Sequence, residues 1–97
     1  MTATLHEVRS KRDAILAIVR EHGARNVRLF GSVVRGEDRP DSDLDVLVEF
    51  ESGRSLLDLV SLESALEELL GRKVDVVADG GISPYLEERI LAEATPL

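Results

Sequence analysis

Gly31 and Ser32, then ten residues, then Asp43 and Asp45: within "FGSVVRGEDRPDSDLDVLVEF" a small-residue turn precedes two acids that open an apolar run. Side chains alternate along a strand, so Asp43 and Asp45 project to one face while Leu44, Val46 and Val48 take the other. Two carboxylates held that close repel, and burying either unpaired raises its pKa or destabilises the fold. A hard divalent cation relieves both effects, and Mg2+ is usually held by one or two carboxylates together with substrate phosphates. A third acid, Asp75, stands in the middle of another apolar stretch, "KVDVV". If that strand neighbours the first, Asp75 faces the same pocket and a two-metal site can form. Phosphates need a cradle of their own. At a strand-to-helix turn Gly31 lets backbone N–H groups approach an anion, the helix start behind it favours negative charge, and the Ser32 hydroxyl can donate one more hydrogen bond.

Each element also has a plain structural explanation. Gly-Ser is common in turns, Asp-x-Asp can be a pair of solvated acids ending a loop, and Asp75 can be a charge that keeps an edge strand from pairing. The combination is more restrictive, because four residues fixed at one spacing match by chance in roughly one chain of this length per thousand.

The elements that must position these residues follow from periodicity and punctuation. Thr4 with Glu7 gives a capping-box start, and Leu5, Val8, Ile15, Ile18 and Val19 recur at helical spacing as far as Gly23. "NVRLF", 26–30, is a short apolar strand ended by Gly31, and residues 32–35 can form one helical turn. A charged turn, "GEDRPDS", leads into the strand "LDVLVEF". Ser55 with Asp58 begins a second long helix lined by Leu56, Leu59, Val60, Leu66, Leu69 and Leu70 and stopped by Gly71. "KVDVVA" is the third strand, and Ser83-Pro84 opens a last helix with Leu86, Ile90 and Ala94 on its face. The order of helix, strand, strand, helix, strand, helix predicts an α/β (α+β) domain, a small mixed sheet packed with helices, over residues 1–97 as one unit.

Composition narrows the function classes. Of the 97 residues 43% are hydrophobic and 32% charged, the balance of a globular chain. No apolar run is long enough to cross a bilayer, and the charges breaking up "MTATLHEVRSKRDAILAIVREHG" do not fit a signal peptide, so a cytoplasmic protein is expected. Without cysteine there is no thiolate zinc site, and two isolated histidines leave oxygen as the donor for any metal. A net charge of −7 disfavours direct nucleic-acid binding and suits a basic protein partner, although solubility alone explains it equally well.

Gly31, Ser32, Asp43 and Asp45 at this spacing resemble the signature of the nucleotidyltransferase superfamily built on the DNA polymerase beta palm, and in particular its minimal nucleotidyltransferase (MNT) branch. The likeness surrounds "VRLFGSVVRGEDRPDSDLDVLVEF" and continues through "VDVVADGGISPYLEERILAEATPL", nearly the whole chain. It implies the nucleotidyltransferase fold, with the third carboxylate on a later strand, here Asp75. It also implies an antitoxin that transfers AMP from ATP to a tyrosine of a HEPN ribonuclease toxin and silences it, in a toxin–antitoxin pair able to form a hetero-oligomer. On that pattern Asp43 and Asp45 hold both Mg2+ ions, Asp75 ligates the catalytic one and helps to deprotonate the attacking hydroxyl, and Gly31 and Ser32 bind the β and γ phosphates.

Other readings compete. A binding-only antitoxin would neutralise its partner by covering it, without turnover. A phosphatase of the haloacid dehalogenase type carries its nucleophilic Asp after the apolar strand, whereas Asp43 and Asp45 precede most of theirs. Antibiotic-modifying relatives carry further substrate-binding elements for which this chain has little room. Arg35 and Arg39 are candidates for contacts to phosphate or partner, with surface pairing to Glu37, Asp38 or Asp41 as the alternative. Arg28, His6, His22 and Tyr85 read as surface or packing residues, and Glu63, Glu67, Glu68, Glu87 and Glu88 as solvated helix faces.

Overall fold

The computed structural model describes residues 3–39 and 41–97. Along the chain run α1 (Ala3–Ser10), α2 (Arg12–Glu21), β1 (Ala24–Phe30), α3 (Ser32–Arg35), β2 (Leu44–Phe50), α4 (Leu56–Leu70), β3 (Val74–Ala78), α5 (Pro84–Glu93) and β4 (Thr95–Pro96). The strands form one mixed sheet in the order β3-β2-β1-β4. Antiparallel pairing of β1 with β2 sets Phe30 opposite Asp45. Parallel pairing of β2 with β3, reached by the crossover through α4, sets Asp45 opposite Asp75.

Alternation sorts the sheet into two faces. Val27, Leu29, Leu44, Val46, Val48, Val74 and Val76 share a core with Val8 of α1, Ile15 and Val19 of α2, Val33 of α3, and Leu62, Leu66 and Leu70 of α4. Each leucine fully buried there, such as Leu62 or Leu66, contributes about 2 kcal/mol. Asp45 and Asp75 belong to the other face, where Phe30 and Leu47 are also buried but lie outside that core. The strand that carries Asp45 is thus anchored by apolar residues of the opposite parity.

Several elements depart from the sequence pattern. The expected single N-terminal helix is broken at Lys11. The Ser10 hydroxyl donates to the Glu7 carbonyl at 2.6 Å and the Lys11 N–H turns back to the Val8 carbonyl at 3.1 Å, so local hydrogen bonds interrupt the helical ladder. Lys11 Nζ reaches the Leu69 carbonyl at 3.3 Å, which ties the break to the end of α4. Thr4 is already inside α1 and is not its cap. Ser55 and Asp58 do open α4, with the Ser55 N–H donating to Asp58 at 2.8 Å, and Gly71 ends it in the left-handed conformation. Leu56 and Val60, expected on its apolar face, are exposed, while Leu62 takes the central core position. Residues 95–96 form a strand too short to show a period. It pairs with Arg28 and Leu29 at the sheet edge, where the missing N–H of Pro96 is tolerated.

Glu63 and Glu67 correct the reading of α4's acids as a solvated face. Glu63 accepts the Val76 N–H at 2.8 Å and Glu67 accepts the Val74 N–H at 3.0 Å. These donors point away from β2, so two carboxylates from α4 satisfy the outer backbone of β3 and hold the strand on either side of Asp75. The variant Glu63→Ala/Glu67→Ala is expected to lose about 2 kcal/mol of stability and to speed hydrogen exchange at the Val74 and Val76 amides relative to β1. Unchanged exchange at those two amides would show that the carboxylates do not hold the edge.

Candidate active site

Three chain segments meet at one end of the sheet: the end of β1, the start of β2 and the start of β3. Gly31 follows β1 with φ +83 and ψ −159, backbone that a side chain rarely allows, and Ser32 begins α3. The space where a Cβ would stand at Gly31 is filled by the Asp45 carboxylate. Glycine therefore serves the turn twice, through its conformation and through the close approach of an acid from the next strand.

The aspartates predicted from the sequence are brought to this end together. Asp43 lies just ahead of β2, where the Leu44 N–H donates to the Lys73 carbonyl at 3.0 Å and starts the ladder with β3. Asp45 is one position inside, directly across from Asp75. Asp45 is half-buried and Asp75 exposed. Burial pushes the Asp45 carboxyl up to about 6, and the charges of Asp75, Asp43 and Glu93 push the same way against the opposing pull of Arg35. Asp43 turns toward Lys73, with Nζ–Oδ2 at 3.9 Å. Among the described residues no three acids or histidines converge closely enough to enclose a metal ion. The donor chemistry fits a hard divalent ion, since the set is all oxygen and its central member is pushed up by burial and then by its neighbours' negative charge. Two cavities, of about 250 and 300 Å³, lie elsewhere and are not lined by these acids.

Arg35, weighed from the sequence as a contact to phosphate or partner or as a surface pair with Glu37, also lies at this end, together with Glu93, which spacing did not mark. Arg35 donates to Glu37 at 3.1 Å and to Glu93 at 2.6 Å, so it is paired twice. Glu93, at the end of α5, also accepts the Gly31 N–H at 2.9 Å. Nothing local marks Glu93, because its partners are 58 and 62 residues away. Arg28 forms an ion pair with Asp79 at 2.9 Å with its own side chain only 13% exposed, so it is tied into the structure more closely than a surface residue.

Residues 12–96 match the family model of the nucleotidyltransferase domain. The chain is 47% identical over 90 residues to a Methanocaldococcus jannaschii protein assigned as a protein adenylyltransferase, covering 93% of this chain and 94% of that one. It is 43% identical over 91 residues to the protein adenylyltransferase MntA of Thermococcus cleftensis, covering 93% and 92% respectively. A solved structure assigned as a minimal nucleotidyltransferase superposes with a TM-score of 0.85 at 55% identity, over 96% of this chain and 95% of the other. The fold also recurs, at 19% identity and a TM-score of 0.70 over 91% of this chain and 69% of the other, in a Shewanella oneidensis complex of a tri-AMPylated HEPN toxin with its MNT antitoxin. The chain belongs to the nucleotidyltransferase family.

Proposed function

We propose that this chain is an antitoxin of the MNT kind, a protein adenylyltransferase that moves AMP from ATP to a tyrosine hydroxyl of a HEPN-domain toxin. The observation that carries the chemistry is the register: Asp45 stands opposite Asp75 in the next strand and against Gly31 at the preceding turn, so acids and phosphate cradle share one edge. The identity to a protein adenylyltransferase over nearly the full length of both chains supports the choice of AMP and of a protein acceptor.

Asp43, Asp45 and Asp75 would hold Mg2+, which would supply positive charge to offset the negative charge that develops during transfer. Gly31 and Ser32 receive the β and γ phosphates through backbone N–H and hydroxyl donors. Asp75, the exposed member, accepts the proton of the tyrosine hydroxyl as its oxygen attacks the α-phosphorus. The bond from that phosphorus to the β-phosphate oxygen breaks, AMP stays on the tyrosine, and pyrophosphate leaves. Asp45 keeps the acids and the turn in one frame through its contact with Gly31. Among the described residues no helix is long and apolar enough to cross a membrane.

The test is the intact mass of the product of the gene adjacent to this chain's own, checked first for a HEPN domain, after incubation with this protein, ATP and Mg2+. One or more added adenylyl groups are expected, and none with Asp43→Ala/Asp45→Ala. A stable complex with no added mass would favour the binding-only antitoxin.

A further inference from the structure

We propose that Glu93 is an internal stand-in for phosphate: its carboxylate occupies the donors of the Gly31 turn, and a nucleotide's triphosphate must displace it to bind. The inference rests on the nucleotide-binding reading above. One oxygen, Oε1, accepts both the Gly31 N–H at 2.9 Å and the Arg35 Nη1–H at 2.6 Å. A glycine backbone N–H and a guanidinium on one oxyanion are the contacts a phosphate oxygen would use, and the anion now holding them belongs to the chain itself.

The element that delivers Glu93 is built to let go. No residue of α5 is buried, and positions 83–89 are all exposed. Among the described residues Glu93 is the one α5 side chain that makes a hydrogen bond or ion pair, and its side chain is only 17% exposed. Beyond it the chain is held by the two-residue β4, by the Leu97 N–H to the Val27 carbonyl at 3.1 Å, by Arg12 Nε donating to the Leu97 carbonyl at 3.2 Å and by Leu97 packed against the core, so the release falls on the Glu93 side chain and α5 while the chain end stays in place. A helix without a buried face opens at low cost, so breaking two hydrogen bonds at its end frees the turn without disturbing the core. A carboxylate carries one charge, whereas a triphosphate with its metal offers several oxygens to the same donors. Nucleotide therefore wins when present, and Arg35 exchanges Glu93 for phosphate. Until then apparent affinity falls by the fraction of molecules in which the latch is open. If about one molecule in ten is open, removing the carboxylate tightens binding about tenfold.

The test is calorimetric titration of the full chain with AMP-PNP and Mg2+. Glu93→Ala is expected to bind about tenfold more tightly than wild type, and Glu93→Gln about threefold, since a neutral amide oxygen competes less well for Arg35. Adding Arg35→Ala to Glu93→Ala is expected to erase the gain. In the wild type, Gly31 amide exchange is expected to stay slow both free and nucleotide-bound, and to become fast in free Glu93→Ala. Where Glu93→Ala does not fold, Glu93→Gln carries the comparison, because it keeps an acceptor for Gly31. Binding by wild type with equal or weaker binding by the Glu93 variants overturns the latch alone. No binding by any of them overturns the nucleotide-binding reading and the latch with it.

Discussion

Replacing Asp45 with Asn is expected to abolish adenylyl transfer and, in the same molecule, to raise the melting temperature at neutral pH. The two effects have one origin. The Asp45 carboxyl is raised from its ordinary 3.8 to about 6, first by burial and then by Asp75 and Asp43. Between those pH values the unfolded chain has already released a proton that the folded chain retains. Unfolding therefore releases a proton, and the folded state loses stability as pH rises across that window. Below about 3.8 both states are protonated and there is no penalty; above about 6 the penalty is complete and constant. A shift of that size corresponds to about 3 kcal/mol at full burial, and solvent screening of a half-buried group reduces it to about 1–2 kcal/mol. Asn has the same shape and no charge, so at neutral pH the metal-free variant should melt about 5 °C higher, while below pH about 4 the two proteins should coincide. Transfer should fall about a thousandfold or more, because the charge that would hold the metal is gone. Calorimetric melts at both pH values in EDTA, with intact-mass assays beside them, measure both halves. Coincident melts at neutral pH would show that Asp45 is not held under repulsion.

The grouping of the candidate residues was legible because they have a local signature. Gly31, Ser32, Asp43 and Asp45 lie within fifteen residues of one another, and strand alternation alone turns the two aspartates to one face. Asp75 needed one further assumption, that the third strand neighbours the second, and the parallel register supplies it. The strand 44–50 could be bounded from sequence because its apolar run is bracketed by a turn and a charged loop. The missed features depend on distant partners or on competition within a turn. Glu63 and Glu67 look like ordinary surface acids until β3 is seen to leave its outer N–H groups facing them. The break at Lys11 depends on whether the Ser10 hydroxyl bonds backward, which periodicity does not register. The apolar pattern of α5 suggested a packed face, yet Tyr85 is 95% exposed and Leu86 about half. Helical spacing records which residues share a face; it does not say that anything covers that face.

Gly31→Ala tests the joint between the turn and the acids, and is expected to be the most damaging single change in the chain. Two penalties add. With φ at +83 and ψ at −159 the backbone sits where a Cβ is strained, at about 1–3 kcal/mol. The new methyl also meets the Asp45 carboxylate, a short side chain whose Cγ and Cβ lie 3.0 and 3.3 Å from it as well, at about 1–3 kcal/mol more. Gly53 separates the two terms. It has φ +87 and nothing within 4 Å of its would-be Cβ, so Gly53→Ala carries backbone strain alone. Thermal melts should place Gly31→Ala well below Gly53→Ala, and transfer should be lost in the first and retained in the second. The contact term is then isolated by a double-mutant cycle: in an Asp45→Ala background the methyl at position 31 has room, so Gly31→Ala should cost less there by about 1–3 kcal/mol. That coupling is independent of metal, nucleotide and partner, because it depends only on where the Asp45 side chain lies. A coupling near zero, with Gly31→Ala as mild as Gly53→Ala, would mean that Asp45 does not stand against the turn. The acids and the Gly31 turn would then no longer share an edge, and the geometry that supports the proposed adenylyl transfer would have to be abandoned.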